Sequence, residues 1–527
     1  MSINRGSLQV APDLLDVFRD IARRNPHRPA IVHNGRALTY HQLLESVNTL
    51  ADGLGPAPGT VAVPAVHATG TVVALLGVLT AGGAYCPVDP AFPTARRHAM
   101  AAAAQCRTAV SGSSGDRLRL GLRLVASPEP PEPPEIAGNP PGSPSGDPPG
   151  TDPEQPACIL FTSGSTGQPK PVLTPRRALT ATARALGGLF GLTPEDRVLQ
   201  FASLNWDTSF EEILPTLTTG ATLVIDRDAH SGSFPRFLRL LDRERITVLD
   251  LPTAFWHELV HHLVDSGDRL PSCVRLLVIG GEAAAPARLA DWTRLPTGGI
   301  RLLNTYGCTE TTQITHAVDL AGPLAPGRRW DGTARAPIGR ALPHVVERLD
   351  ERGELLIGGP SVALGYLGLP EATAARFTTL DGERYFRTGD RTARDPDGLL
   401  THQGRLDGEL KVRGIRVDPA EVEAHLTAHP DVTAAAVTGA TEAGRTTLVA
   451  YVVARPHAAA RAPGPEFGRA LLQHLRERVP GHLVPARITL VPALPHTPSG
   501  KVDRAACHRQ YAAHPDRSKS KETPCER

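Results

Sequence analysis

The sequence predicts an α/β fold: a large N-terminal domain with mixed or parallel sheets and flanking helices, then a small α+β C-terminal domain. Three observations lead there. Helical patterns alternate with short apolar runs, "GATLVID", "ITVLDLP", "VRLLVIGG" and "IRLLNTYG", several of which end in glycine-rich turns. That is the pattern of buried parallel strands whose carboxyl ends carry ligand-facing loops. The length, 527 residues, exceeds what one hydrophobic core organises. Beyond about Arg405 the texture changes to strand, capped helix, paired strands, helix and final strand, a unit of ordinary domain size.

Taken in order, the N-terminus "MSINRGSLQVAPDLLDVF" lacks the apolar block of a signal peptide. The most apolar segment, "TVVALLGVLTAGGAY" from Thr71 to Tyr85, is too short and too glycine-rich at its end to span a membrane and reads as a buried helix. Residues 127–156, "SPEPPEPPEIAGNPPGSPSGDPPGTDPEQP", are packed with Pro and Gly and read as an exposed loop. In "VDPAEVEAHL" Asp418 is placed as N-cap, with Pro419 in the first turn and Glu421 three residues after the cap. Residues 513–527 form a polar tail. The boundaries expected are therefore 1–406 for the large domain and 407–512 for the small one.

Hydrophobic residues make up 41% of the chain and the formal net charge is +2, with no cluster of Lys and Arg, so nothing asks for nucleic acid or an anionic membrane as partner. Seven scattered cysteines without a CxxC pair suit a reduced, cytoplasmic protein without structural zinc.

The chemistry begins at "ILFTSGSTGQPKP", Ile159 to Pro171. A strand-like run leads into small hydroxyl and glycine residues and then a lysine, groups that favour phosphate oxygens. It is not a Walker loop: only two residues separate Gly164 from Gly167, and Pro169 stands before the lysine.

Together with "LTYHQLLESVNTLADGL", "LTAGGAYCPVDPAFP", "FASLNWDTSFEEIL", "NTYGCTETT", "GELLIGGPSVALGYLG", "YFRTGDR", "GRLDGELKVRGIRVDPAEVE" and "PSGKVDR", this loop resembles the adenylate-forming enzymes. Within them it resembles the amino-acid adenylation domains of nonribosomal peptide synthesis, over nearly the whole chain. The resemblance implies a mobile C-terminal domain hinged at Asp407. It implies ATP and Mg²⁺ as cofactors, and a substrate carboxylate that attacks the α-phosphate, expels pyrophosphate and leaves an acyl-adenylate. Two anions meet in that reaction, so neutralising charge and positioning should dominate catalysis.

Carried over by resemblance, Thr162, Ser163, Gly164, Ser165, Thr166, Gly167 and Lys170 hold the β and γ phosphates. Asn304 and Tyr306 contact adenine, Thr309 the α-phosphate, and Glu310 holds Mg²⁺, a cation that prefers oxygen ligands. Asp390 takes the ribose hydroxyls, and Arg405 reaches ribose or phosphate. Lys501 enters the site for adenylation, and Lys411 lies in the region that faces it for thioester formation. Cys308 stands where proline is common in the family and Glu409 where glutamine is.

For the substrate, Asp207 matches the aspartate that pairs with an α-ammonium in amino-acid-activating members; it also suits a cap for the helix beginning "TSFEEIL". The implied pocket is Asp207, Thr208, Glu211, Ala254, Val278, Gly280, Thr305, Gln313 and Ile314. Gly280 leaves room for a long side chain. Glu211 puts a second carboxylate one helical turn from Asp207. A buried carboxylate needs a cationic complement, so the substrate expected is basic: lysine, ornithine, arginine or a β-amino relative. With no carrier-domain sequence after Lys501, the resemblance implies a stand-alone enzyme. It would load the phosphopantetheine arm of a separate peptidyl carrier protein, and a small helper protein is a further partner left open. The alternatives are an acyl-CoA ligase of the same fold acting on a small acid, and a non-catalytic nucleotide-binding relative.

Overall fold

The structure, a computed structural model, describes residues 12–111, 118–128, 152–163, 169–325, 330–407, 409–412, 414–442, 445–455, 465–496 and 502–512. The chain divides into two compact units. One holds Met1–Phe92, Arg97–Thr162 and Lys170–Asp407; the other holds Pro93–Arg96, Ser163–Pro169 and Gly408–Arg527.

The expected parallel strands form in the first unit. Its nine-stranded sheet runs through Arg340–Ala341, Ile314–Ala321, Arg301–Gly307, Leu276–Gly280, Val248–Pro252, Arg197–Leu199, Thr222–Ile225, Pro29–His33 and Arg36–Thr39. Within the run of six strands from Arg301–Gly307 to Pro29–His33 each adjacent pair is parallel. A seven-stranded sheet orders Gly365–Tyr366, Lys170–Pro175, Pro156–Thr162, Ala84–Val88, Thr60–Pro64, Thr108–Ser111 and Arg123–Ala126. A five-stranded antiparallel sheet holds Val346–Leu349, Glu354–Gly358, Glu383–Arg394, Phe377–Leu380 and Leu400–Arg405.

One core joins the two larger sheets. Ile31 and Leu223 of the first and Val61, Val63 and Leu160 of the second pack against helices Leu14–Arg24, Tyr40–Leu54, Thr69–Thr80 and Thr208–Thr219. Helix Thr69–Thr80 comes from the apolar segment noted in the sequence, and its positions Thr71 to Leu79 are all buried. A second core on the nine-stranded sheet takes Phe237, Trp256, Leu259, Leu289 and Trp292 from helices Phe234–Arg243, Thr253–Ser266 and Pro286–Arg294. Among the described residues no helix is long and apolar enough to cross a membrane, and the six cysteines there are free.

The second unit packs helix Pro419–Thr427 and helix Pro465–Arg476 on strands Val432–Glu442, Arg445–Ala454 and Arg487–Leu490. Asp418 caps its helix as the sequence suggests, its Oδ1 accepting from the N–H of Ala420 at 3.0 Å. Most of the Pro/Gly-rich segment, residues 129–151, and the tail 513–527 lie outside the described residues.

The helix that opens the described chain is anchored by charge. Asp13 accepts from the N–H of Leu15 as an N-cap and from Nη2 and Nε of Arg176 at 2.8 and 2.7 Å. Arg176 is buried at 4% exposure and also donates to the carbonyl of Leu79. Asp13→Ala leaves that guanidinium buried without its counter-charge and should cost about 3 kcal/mol. The urea midpoint of the large unit, followed by tryptophan fluorescence, is expected to fall accordingly; an unchanged midpoint contradicts the anchoring role.

Candidate active site

The turns at the carboxyl ends of the parallel strands carry three linked groups of side chains, all within the first unit. Strand Arg301–Gly307 delivers Tyr306, whose hydroxyl donates to Asp390 Oδ2 at 2.6 Å. Arg405 Nη1 and His402 Nε2 each lie 3.0 Å from the other oxygen, Oδ1. Burial, and then the Asp390 charge, push the Tyr306 hydroxyl well above its usual range, so it stays a donor. Arg405 also grips Asp407, Nε to Oδ1 at 2.7 Å and Nη2 to Oδ2 at 2.6 Å, and Arg376 adds a 2.9 Å bond. His402 was not singled out in the sequence. Asn304 donates its amide to the carbonyl of Pro337.

The second group centres on Glu310, in the 3₁₀ turn Thr309–Thr311 directly after that strand. Glu310 is 1% exposed and accepts from the Tyr366 hydroxyl at 2.7 Å. Lys170 Nζ sits 5.5 Å from the centroid of the same tyrosine ring, so one aromatic residue touches both the acidic and the basic member of this group. Cys308 Sγ lies 3.2 Å from the Thr311 hydroxyl. Ser163 groups with the second unit, where its hydroxyl donates to the carbonyl of Arg416 and accepts from the N–H of Asp418. Lys411 lies half-buried on strand Leu410–Val412 of that unit. Gly164, Ser165, Thr166, Gly167 and Lys501 lie outside the described residues.

The residues present fit a nucleotide with Mg²⁺. Thr162 Oγ1 and Asn304 Oδ1 are buried oxygens with no hydrogen-bond partner among the described residues, and a ligand is the natural way to satisfy them. No group of three or more metal-ligating side chains occurs among the described residues. Mg²⁺ is commonly held by one or two carboxylates plus phosphate oxygens, which a single Glu310 suits.

The third group is acidic. Asp207 occupies the cap position of helix Thr208–Thr219, but its backbone is already helical and its side chain makes no cap bond. The cap role open to it in the sequence is thus not taken. Burial raises its carboxyl to about 6, against a hydrogen bond from Thr309 that lowers it and the Glu310 charge that raises it further. One turn on, Glu211 is buried against Asp250, with which it shares a hydrogen bond. Burial, then the charges of Asp250 and Asp207, hold the Glu211 carboxyl well above its usual range, and burial lifts Asp250 to about 6. Asp250 Oδ2 has no other partner among the described residues.

Glu212, next in the helix, feels the Asp250 charge as well but has donors of its own. It accepts from the N–H groups of Phe201 and Ala202, both at 2.9 Å, and from Gln200 Nε2 at 3.0 Å, tying down the segment that leads to Asp207.

Around these acids the structure places most of the other residues expected. Val278 is buried and pairs across the sheet with Asp250 on one side and Leu303 on the other. The room at Gly280 is shared with Thr305: a Cβ there would stand 2.5 Å from the Thr305 hydroxyl, which donates to the carbonyl of Ile279. Gln313 has both amide atoms buried without a partner among the described residues and a left-handed backbone, φ 69°, beside Thr312 at 55°. Two such strained residues in succession are common at binding sites. Ile314 is buried beneath them, and Thr208 is half-buried. Ala254 lies half-buried in the first turn of the next helix, four residues beyond Asp250. It is Asp250 that meets Glu211. An acidic residue inside the apolar run "ITVLDLP" was the available signal.

The AMP-binding enzyme profile matches residues 18–367, and the profile of the AMP-binding enzyme C-terminal domain matches 421–501. The chain belongs to the AMP-binding enzyme family. An isonitrile lipopeptide synthase of Streptomyces coeruleorubidus is 41% identical over 94% of this chain and 33% of its own length. The novobiocin biosynthesis protein H of Streptomyces niveus is 34% identical over 93% of this chain and 82% of its own. The chain thus spans about a third of the first of these relatives. Among solved structures, a fused adenylation–carrier di-domain, NpsA-ThdA from Klebsiella oxytoca, superposes with a TM-score of 0.77 at 25% identity, covering 92% of this chain and 94% of that one. This AMP-binding enzyme therefore has the adenylate-forming fold of nonribosomal adenylation domains. Enzymes of the family use ATP, generally with Mg²⁺.

Asp250 has a folded-state pKa near 6, above its ordinary value near 4. The folded state then binds more protons than the unfolded state across that window, so Asp250 costs stability as pH rises through it. Asp250→Asn is expected to raise the Tm of the ligand-free protein at pH 8 by about 2 °C and to do far less at pH 4. Differential scanning fluorimetry at the two pH values checks this, and a lowered Tm at pH 8 contradicts the assignment.

Proposed function

We propose that this enzyme activates a basic amino acid, lysine, ornithine, arginine or a β-amino relative, as its aminoacyl-adenylate. It then transfers the aminoacyl group to the phosphopantetheine thiol of a carrier protein. The observation that carries the reading is the acidic group: Glu211 and Asp250 are buried against each other with the half-buried Asp207 beside them, and none of the three forms an ion pair with a lysine, arginine or histidine among the described residues. Buried charge of one sign calls for a ligand of the other. An amino acid with a cationic side chain brings two such charges, one for Asp207 and one for the Glu211–Asp250 pair.

In this reading Asp207 receives the α-ammonium, and Thr305, Val278, Gln313, Ile314 and Gly280 line the side chain's path with Thr208 and Ala254 at its edge. Asp390, held by Tyr306, Arg405 and His402, accepts from the ribose hydroxyls, and Asn304 with Tyr306 takes the adenine. Thr162, Ser163 and Lys170, with Gly164, Ser165, Thr166 and Gly167, hold the departing phosphates, while Thr309 touches the α-phosphate. Mg²⁺ on Glu310 would supply positive charge where the pentavalent phosphorus gathers negative charge. Tyr366 keeps Glu310 in place. Lys501 neutralises the attacking carboxylate and the phosphate together, Asp407 is the hinge, and Lys411 serves the thioester step. The adenylation–carrier neighbour supports a carrier as acceptor.

ATP–pyrophosphate exchange over a panel of amino acids tests the reading, with strong exchange expected for basic members. Exchange confined to aliphatic or aromatic amino acids overturns it. Glu211→Gln should lower kcat/KM for the preferred basic amino acid about a hundredfold, since it removes one of the two carboxylates offered to the cation, while the KM for ATP stays unchanged. An unchanged amino-acid preference removes Glu211 from the site. Mass spectrometry of a holo carrier protein against free coenzyme A identifies the acceptor.

A further inference from the structure

The Glu211–Asp250 contact has a chemical consequence beyond substrate class. Glu211 projects from the first turn of helix Thr208–Thr219, and Asp250 from strand Val248–Pro252, where it stands opposite Val278. Their exposures are 7% and 4%. Two ionised carboxylates in hydrogen-bond contact in such a place would repel strongly, whereas one proton between them turns repulsion into a short, favourable hydrogen bond.

The surroundings reinforce this. Glu211 feels Asp207 and Glu212 from its own helix as well as Asp250 from the strand, and Glu310 from the 3₁₀ turn faces Asp207. All are acidic. The positive end of the helix dipole compensates in part, by about 1 kcal/mol, too little to keep two adjacent carboxylates ionised.

We propose that Glu211 and Asp250 hold a single shared proton in the empty pocket and release it to solvent when a cationic side chain enters, so that amino-acid binding is coupled to proton release. This rests on the basic-substrate reading above. The balance is simple. The Glu211 carboxylic acid bonded to the Asp250 carboxylate, plus an ammonium or guanidinium group, becomes two carboxylates bracketing that cation, plus one proton in water. No covalent bond other than the carboxyl O–H breaks, and the cation keeps its own protons. The charge of the buried group changes from −1 to −2 while the entering side chain contributes +1, so the local net charge stays at −1.

The arrangement also gives selectivity. A neutral side chain leaves the proton in place and gains nothing from the pair, and an anionic one meets Asp250. Only a cation converts the pair into a double acceptor. Affinity for the basic amino acid should therefore rise with pH. One proton released per molecule bound lowers Kd about tenfold per pH unit as long as the empty pair stays singly protonated.

Isothermal titration calorimetry of the full chain at pH 7, in phosphate and in Tris, counts the proton, because the two buffers differ in ionisation enthalpy. The probe is whichever of lysine, ornithine and arginine gives the strongest exchange, with norleucine as neutral comparison. Release of about one proton per basic amino acid, a Kd that falls on going from pH 6 to pH 7, and no release from Glu211→Gln support the proposal. Binding of the basic probe with no proton released, or with the same release in Glu211→Gln, overturns it and leaves the basic-substrate reading standing. Failure of all three basic probes to bind, with norleucine bound instead, overturns both. The pH dependence of wild-type Kd decides the matter if Glu211→Gln does not fold.

Discussion

A carboxylate taken out of water must find a cation, a set of hydrogen-bond donors or a proton, and this structure is organised by how each of its buried acids meets that demand. Asp13 uses Arg176. Asp196 accepts from Nε and Nη2 of Arg275 at 2.7 and 2.8 Å and from the Thr247 hydroxyl at 2.7 Å. Glu212 is met by two backbone N–H groups and a glutamine. Glu211 and Asp250 have each other. The first two solutions are complete and structural, while burial and the Asp250 charge still hold the Glu212 carboxyl well above its usual range. The last has no lysine, arginine or histidine against it among the described residues, and it joins the first turn of helix Thr208–Thr219 to the middle of the parallel strand Val248–Pro252.

The same demand accounts for the polar chain on the nucleotide side. Asp390 is 2% exposed and is surrounded by Tyr306, His402 and Arg405, and Arg405 continues to Asp407 at the division between the two units. Asp407 is thus held by the side chain that also reaches the ribose-site candidate. Glu310 is positioned by Tyr366, whose backbone pairs with Val172 on the strand that starts at Lys170. The acid and the base of the phosphate region are therefore fixed relative to one another through a single aromatic residue.

Much of this was legible in the sequence because its signals are local. The apolar runs became the parallel strands, "VDPAEVEAHL" became a capped helix, and the blocks "NTYGCTETT" and "YFRTGDR" carry Tyr306, Glu310 and Asp390 within a few residues of obvious strand ends. What stayed hidden depends on contacts between distant segments. Asp250 sits in "ITVLDLP", where a strand pattern invites the reader to count Val and Leu and pass over the acid; its meaning appears only when Glu211, from a helix in a different stretch of the chain, is placed against it. His402 and Tyr366 are ordinary strand residues until their partners are known. The role of Asp207 as a helix cap was likewise a local inference that tertiary packing overruled, since Thr309 draws the side chain away.

The direct test is a crystal structure with a non-hydrolysable aminoacyl-adenylate analogue bearing a lysine side chain, in which two distances are measured. The account predicts the α-ammonium in hydrogen-bond contact with Asp207 and the terminal ammonium bracketed by Glu211 and Asp250, at about 2.8 Å from an oxygen of each. A side chain that turns away from the pair, or an arginine of the protein lying between Glu211 and Asp250, would contradict it.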